Sequence, residues 1–425
     1  MLQRLGIIAD DLTGANDTGV QFACHGYRTT VYLDDISHYN YADVLVLNTD
    51  SRQDPAQQAG RKAFEAANEL LNAGVGRIYK KIDSVMRGNI GAELDQVCAA
   101  SGCQTAFICP AFPALGRTVV NGEVRINGQP IHASVITRDH ITPVKSASIC
   151  DIIRQQSQRQ MIHLTLAQVR GAQLRNRLAS YVGQACYVVM DAETEEDMKA
   201  IGSILSELEG AFVLCGSGGL ARALLDGETS HENYLRKACQ RILVTCGTPN
   251  PVAREQIAYL GEMGWPTELL SFDDLLHKRW DGGRILRGMD ETGVGIIGIR
   301  DTVFSGDVYQ DSLIIRENLA ELVVKICHKR LPDTLIINGG DTALSICRKL
   351  GAWGFDLIGE VDTGIPYGLL QNDWGQNLAV ITKSGSFGDK CTLHKAILAL
   401  RDRQREPACA EDCDRASRDL HVQEG

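Results

Sequence analysis

LGIIADDLTGA, residues 5–15, is the stretch from which the architecture follows. Leu5–Ala9 is a short apolar run rich in branched side chains, too brief for a helix and apolar on both faces, as a strand inside a parallel sheet must be. It ends abruptly at Asp10 and Asp11, and the Thr13-Gly14 pair then turns the chain towards a helix. The same order of buried strand, polar strand end and helix recurs along the sequence. Strands are predicted at Leu5–Ala9, Thr30–Leu33, Val44–Asn48, Ile78–Lys81, Ala106–Cys109, Tyr187–Met190 and Phe212–Cys215, with helices such as Pro55–Asn72 and Ile90–Ala100 between them. The class is α/β, mainly parallel sheet flanked by helices.

Residues 116–136 depart from this pattern. TVVNGEVRINGQPI carries Asn-Gly pairs at 121–122 and 127–128, the dipeptide that favours tight hairpin turns, so a β-hairpin excursion is predicted there. After the polar stretch 226–237 the alternation resumes at Arg241–Cys246, Gly295–Arg300, Thr334–Asn338 and Leu378–Thr382, and closes with a helix over Thr392–Arg401. Two domains follow, 1–230 and 238–402, with the boundary near 226–240 and a charged, frayed tail over 403–425.

Composition narrows the function. In 425 residues the net charge is −10, and no Lys/Arg run supplies the local basic stripe that nucleic acid would require. No apolar stretch is long enough to span a membrane. The N-terminus does not read as a signal or transit peptide, and the expected location is the cytoplasm. Of the 14 cysteines, Cys24, Cys109, Cys186, Cys215, Cys246 and Cys327 sit singly in apolar segments without a CxxC pair, which fits reduced thiols in a core. Cys409 and Cys413 in the tail lack further ligands at metal spacing, and no HxH or HExxH occurs. A small molecule is the expected partner. The sequence is silent on assembly, a homodimer being one candidate.

Ligands of open α/β sheets bind beyond the carboxyl ends of the strands, so the residues there carry the chemistry. In the first half these are Asp10-Asp11, Thr49-Asp50-Ser51-Arg52, and Ile82-Asp83-Ser84 followed by Arg87-Gly88. Arg52, Lys81 or Arg87 would pair a carboxylate, while Asp11, Asp83 and Ser84 would bind hydroxyls, the needs of a small polyhydroxy acid. Lys80 joins Arg52, Lys81 and Arg87 in the expected basic pocket. For Asp11 and Thr13, helix capping is the alternative role.

The second half offers Thr248-Pro249-Asn250, Gly339-Gly340-Asp341-Thr342 and Ser384-Gly385-Ser386-Phe387-Gly388, each directly after an apolar strand. Glycine turns leading into helix starts admit phosphate close to backbone N–H groups, and three of them suggest a nucleotide. No GxxxxGK[ST] is present, so this is not a P-loop NTPase. Asp341 stands where it could accept a hydroxyl proton, with capping of its own helix as the competing role. Two further glycine patterns are weaker. GVGIIG, residues 293–298, reads as a strand. CGSGGLA, residues 215–221, fits G-x-G-x-x-A but lacks the acidic strand end about 20 residues on that a dinucleotide site requires, so close strand–helix packing or an anion-facing loop suits it better.

ADDLTGA, TDSR, KKIDSVMRG, CPAFPALGRTVVNG, CGSGGLA, NGGDTA and KSGSFG, in this order, resemble the four-carbon acid sugar kinase family over nearly the whole chain, to about Leu400. The resemblance implies an N-terminal domain that binds a sugar acid, a C-terminal domain that binds ATP, and reaction in the cleft between them. It implies substrate contacts at Asp11, Arg52, Lys81, Ile82, Asp83 and Ser84 with Arg87 nearby, and nucleotide contacts at Thr248, Gly339, Gly340, Asp341, Thr342 and Gly385. Where relatives often carry a serine turn after the first C-terminal strand, this chain has Cys246-Gly247-Thr248-Pro249. The expected reaction is ATP-dependent phosphorylation of the C4 hydroxyl of a four-carbon acid, D-threonate first, with D-erythronate and L-threonate beside it. Asp341 is the expected base, and Mg2+ the expected companion of ATP, its protein ligands unknown. A dinucleotide-dependent dehydrogenase built on CGSGGLA and a non-catalytic sugar-acid sensor are the competing readings.

Overall fold

The computed structural model of the chain describes residues 4–38, 42–131, 144, 146–225, 239–300, 307–372 and 378–401. Of the predicted boundary near 226–240, residues 226–238 lie outside them, as does the tail beyond residue 401. The strands are β1 (Leu5–Ala9), β2 (Thr29–Tyr32), β3 (Val44–Asn48), β4 (Arg77–Lys81), β5 (Thr105–Cys109), β6 (Arg117–Val120), β7 (Glu123–Ile126), β8 (Gln129–Pro130), β9 (Gln160–Leu164), β10 (Cys186–Met190), β11 (Phe212–Gly216), β12 (Ile242–Cys246), β13 (Thr267–Leu270), β14 (Val294–Ile299), β15 (Thr334–Asn338), β16 (Ala352–Asp362), β17 (Ile365–Asn372) and β18 (Leu378–Lys383).

Fifteen of these form one sheet, in the order β13-β14-β12-β15-β18-β17-β16-β2-β3-β1-β4-β11-β5-β10-β9. Within each half the neighbours are parallel, and helices cover both faces, which is why strands such as Leu5–Ala9 and Ile242–Cys246 are buried from end to end. The two halves meet at the antiparallel hairpin β16–β17, whose outer strands pair antiparallel with β2 on one side and β18 on the other. As a result, the parallel strands of the two halves run in opposite senses. The 11-residue β16 carries three register shifts against β17, and such bulges bend and twist a strand. Across this bend the carboxyl ends of the two strand sets face each other: Asn16 Nδ2, one helix turn beyond β1, donates to Thr382 Oγ1 near the end of β18 at 2.9 Å. One buried apolar core runs through both halves, and a smaller one lies under the helices Pro251–Glu262 and Thr392–Arg401.

The excursion after β5 folds as a small separate sheet, β6-β7-β8. Both predicted turns form, with Asn121, Gly122, Asn127 and Gly128 all at positive φ as a primed two-residue turn requires. Residues 132–136 of that prediction lie outside the described residues.

Candidate active site

The end of β1 aligns with the ends of β3 and β4, through Ala9 opposite Asn48 and Lys81, so three loops open from one line. Asp11 caps the helix Leu12–Ala23, its Oδ1 accepting from Gly14 N at 3.0 Å. The capping role is therefore real, and Asp11 also does more. Arg52 forks onto both aspartates: Nε and Nη2 donate to Asp10 at 2.9 and 2.8 Å, and Nη1 and Nη2 donate to Asp11 at 2.8 and 2.7 Å. Burial raises the Asp10 pKa, but Arg52 and Lys80 together outweigh it and hold the carboxyl below its ordinary value.

Arg52 and Arg87, two of the cations expected to meet a ligand carboxylate, both line the cleft, and both are already paired within the protein. Arg52 already neutralises two carboxylates, and Arg87 donates from Nε and Nη2 to Asp83 at 2.7 and 3.2 Å. Asp83, despite burial, is held well below the carboxylate range by Arg87 and Arg52. These arginines fix the aspartates in place. Lys80 also leaves the expected basic pocket. Successive strand residues point to opposite faces, so while Lys81 lines the cleft, Lys80 enters the core and pairs with Glu93 at 2.6 Å, both side chains at most 2% exposed. Ser51 Oγ completes that buried pair at 2.9 Å from Glu93. Ile82 does not line the cleft either: it is buried in the core, and its N–H donates to Gly216 O. Lys81 makes no hydrogen bond or ion pair among the described residues.

The three turns of the second half converge. A Cβ on Gly385 would lie 2.8 Å from Thr248 Cγ2, and one on Gly339 would lie 3.4 Å from Thr248 Cβ and 3.6 Å from Thr342 Oγ1. Gly339, at φ 117°, is the N-cap of the helix Gly340–Lys349 and provides no side chain to cap it. Asp341 is not the cap. Its Oδ2 instead accepts from Gln53 Nε2 of the opposite half at 3.1 Å. Burial raises the Asp341 pKa, and Asp50 and Asp11 push it further while Arg316 and Arg52 oppose. Gly340 is forced by the same meeting of halves: a Cβ there would lie 2.5 Å from Thr13 Oγ1.

Between the halves lies a cleft of about 500 Å³, counting the part open to solvent, lined by Asp11, Thr13, Asp17, Lys81, Asp83, Ser84, Arg87, Arg117, Ser217, Ser384, Ser386 and Phe387 among others. Two of these were not singled out from the sequence. Asp17 is buried in the helix Leu12–Ala23 with no hydrogen-bond partner for Oδ1, and burial pushes its pKa to about 6. Arg117 opens β6 and lies over the Phe387 ring at 5.8 Å. Lys383, the first residue of the KSGSFG motif at the end of β18, donates from Nζ to Ser384 O at 2.6 Å, and burial lowers its pKa to about 8.

CGSGGLA serves packing. A Cβ on Gly219 would sit 2.3 Å from Ala111 O, and Ser217 Oγ donates to Ala111 O at 2.9 Å, so the strand and helix press directly onto the loop after β5. GVGIIG lies largely in β14, as expected.

Two family models divide the chain in the same way: a sugar-binding N-terminal domain matches residues 5–224, and a nucleotide-binding C-terminal domain matches residues 298–393. The chain belongs to the four-carbon acid sugar kinase family. Within this family it is 31% identical to D-threonate kinase of Salmonella typhimurium over 94% of this chain and 99% of that one. It is 29% identical to D-erythronate kinase of Heliobacterium modesticaldum over 96% and 100%. The crystal structure of a Haemophilus influenzae protein shares the fold, with a TM-score of 0.67 at 21% identity over 92% of this chain and 98% of that one. Among the described residues no helix is long and apolar enough to cross a membrane.

Proposed function

We propose that this protein is a cytoplasmic, ATP-dependent kinase that phosphorylates the C4 hydroxyl of a four-carbon sugar acid, D-threonate first and D-erythronate or L-threonate as the alternatives. The observation that carries the reading is the meeting of the GGDT helix start with the DDLTG helix start, Gly340 against Thr13 and Asp341 bonded to Gln53. A phosphoryl donor held by one and a hydroxyl held by the other would be adjacent. Residues 1–230 would form the acid-binding half and 238–402 the nucleotide half.

In this scheme Asp11 keeps one acceptor site on Oδ2 for a substrate hydroxyl once Gly14 and Arg52 are served, and Ser84 adds another polar contact. Asp83 is held rigid by Arg87, and Lys81 contributes positive charge without a partner to lose. Asp341 is the base. Its raised pKa makes it a better proton acceptor than an ordinary carboxylate, and it receives the C4 proton as the phosphoryl group is transferred. Thr248, Gly339, Gly340, Thr342 and Gly385 form the wall along which the ATP phosphates lie, with backbone N–H groups at the helix start facing them. Among the described residues there is no group of three His, Cys, Asp or Glu side chains able to hold a metal. Mg2+ would accompany the ATP phosphates, where it would neutralise phosphate charge.

The test is incubation with ATP, Mg2+ and a panel of four-carbon acids, following ADP. Stereospecific ADP release supports the reading. Reduction of NAD without ADP, or stabilisation by an acid with neither reaction, would replace it with the dehydrogenase or the sensor.

A further inference from the structure

Three arginines line the cleft, and their surroundings differ sharply. Arg52 and Arg87 are each neutralised by aspartates. Arg117 is 92% buried by its 8% exposure, and it has no carboxylate partner among the described residues. Its Nη1 donates to Leu115 O at 2.5 Å, while its Nε is buried with no acceptor at all. The used nitrogen and the unused edge lie on opposite sides of the guanidinium. What remains is the Nε–Nη2 edge, the fork whose spacing matches the two oxygens of a carboxylate. Asp83, whose charge reaches Arg117, is already paired with Arg87. A buried guanidinium without an ion-pair partner of its own is costly, so a fold that retains one has an anion to place against it.

The surroundings point to a small organic acid. Phe387 lies over the guanidinium and Phe112 lines the same cleft, and apolar neighbours strengthen a charged hydrogen bond. The same cleft holds Lys81, which makes no hydrogen bond or ion pair among the described residues, and Asp17, whose Oδ1 has no donor. Two cations without an ion-pair partner among the described residues and a carboxylate oxygen without a donor suit a hydroxy acid: anion at one end, hydroxyls beyond it.

We propose that Arg117 is the residue that grips the carboxylate of the acid substrate, through its Nε–Nη2 edge, and so makes the enzyme select acids over uncharged polyols. This rests on the sugar-acid kinase reading and adds the residue that selects for the acid. It also gives the PAFPALGRT segment a purpose, and it ties substrate binding to the nucleotide half, because Phe387 belongs to the SGSFG turn.

Two measurements test it: calorimetric binding of D-threonate without ATP, and kcat/KM for D-threonate against threitol, the polyol of the same length. In Arg117→Met, D-threonate binding weakens roughly ten- to a hundredfold, the scale of one charge-assisted hydrogen-bond pair, while threitol turnover and KM for ATP stay near wild type. Arg117→Lys retains charge without the fork and falls between the two. It also carries the test if the methionine variant fails to fold, judged by its melting curve. Unchanged D-threonate binding, an equal loss for acid and polyol, or a rise in KM for ATP alone would each overturn the assignment, the last by moving the guanidinium to a phosphate. Absence of ADP release by the wild-type protein with every acid would instead sink the kinase reading, independently of the calorimetry.

Discussion

Gln53 Nε2 donates to Asp341 Oδ2 at 3.1 Å, joining the loop beyond β3 to the helix that starts beyond β15. An amide donor favours the ionised carboxylate, whereas burial, Asp50 and Asp11 favour the protonated one. A base must be ionised, so kcat/KM falls as pH drops through the raised pKa of Asp341. Gln53→Leu removes the donor and should move that acid limb to higher pH. A limb that does not respond would take Asp341 out of the role. Asp341→Asn should lower turnover roughly a hundred- to ten-thousandfold with ATP binding intact.

The Asp10–Arg52–Asp11 triad makes a stability prediction. In Arg52→Ala two largely buried carboxylates lose their common counter-charge, and the expected loss is roughly 3–5 kcal/mol by urea denaturation. A loss below about 1 kcal/mol would mean that water reaches and screens the pair. Because the Asp10 pKa is lowered in the fold, its contribution is full above the ordinary value of 3.8 and disappears as pH falls through the folded value.

Asp17 should behave with the opposite sign. Its pKa rises from 3.8 to about 6, with burial the largest cause, so its ionisation opposes folding as pH climbs through that window. Asp17→Asn should therefore raise the unfolding free energy from urea denaturation at pH 7.5 by roughly 1–3 kcal/mol, and change it little at pH 4. Equal effects at both values would refute the buried-carboxylate account.

Two glycine substitutions should diverge. Gly219→Ala drives a methyl into Ala111 O and Phe112 Cα, both backbone atoms, and should destabilise by roughly 1–3 kcal/mol. Gly261→Ala in the helix Pro251–Glu262 meets only Thr267 Oγ1, at 3.9 Å, and should stabilise by roughly 0.5–1 kcal/mol. Melting temperatures of the pair provide the comparison.

Most of the architecture was legible because parallel strands buried on both faces are written as uninterrupted apolar runs; Val44–Asn48, Thr334–Asn338 and Leu5–Ala9 come out with the predicted bounds. The antiparallel pair β16–β17 was not anticipated. AWGFDLIGEVDTGIPYGLLQN mixes glycine, proline and acids with its apolar residues, and its bulges break the period of two on which a strand prediction depends. Asp11, Lys81 and Ser84 line the cleft beyond strand ends, and the Gly339–Thr342 turn directly follows β15, positions that the apolar runs before them mark in the sequence. Charge pairing was not legible. Arg52 finds Asp10 from 42 positions away, and Lys80 and Lys81 differ only in which face of β4 they take. Asp17 sits inside a helix where sequence alone reads a solvated face, and Arg117 follows a loop whose return path the third dimension decides.

The hairpin β16–β17 bears on how the chain can be divided. Severing it near residues 226–238 would strip β2 of the strand that covers its outer edge and leave β16 with a row of unpaired N–H and C=O groups. Each fragment would then present an open pairing template matched to its own lost partner. Co-expressed halves should reassemble into a working enzyme, whereas either half made alone should recruit further copies of itself and precipitate.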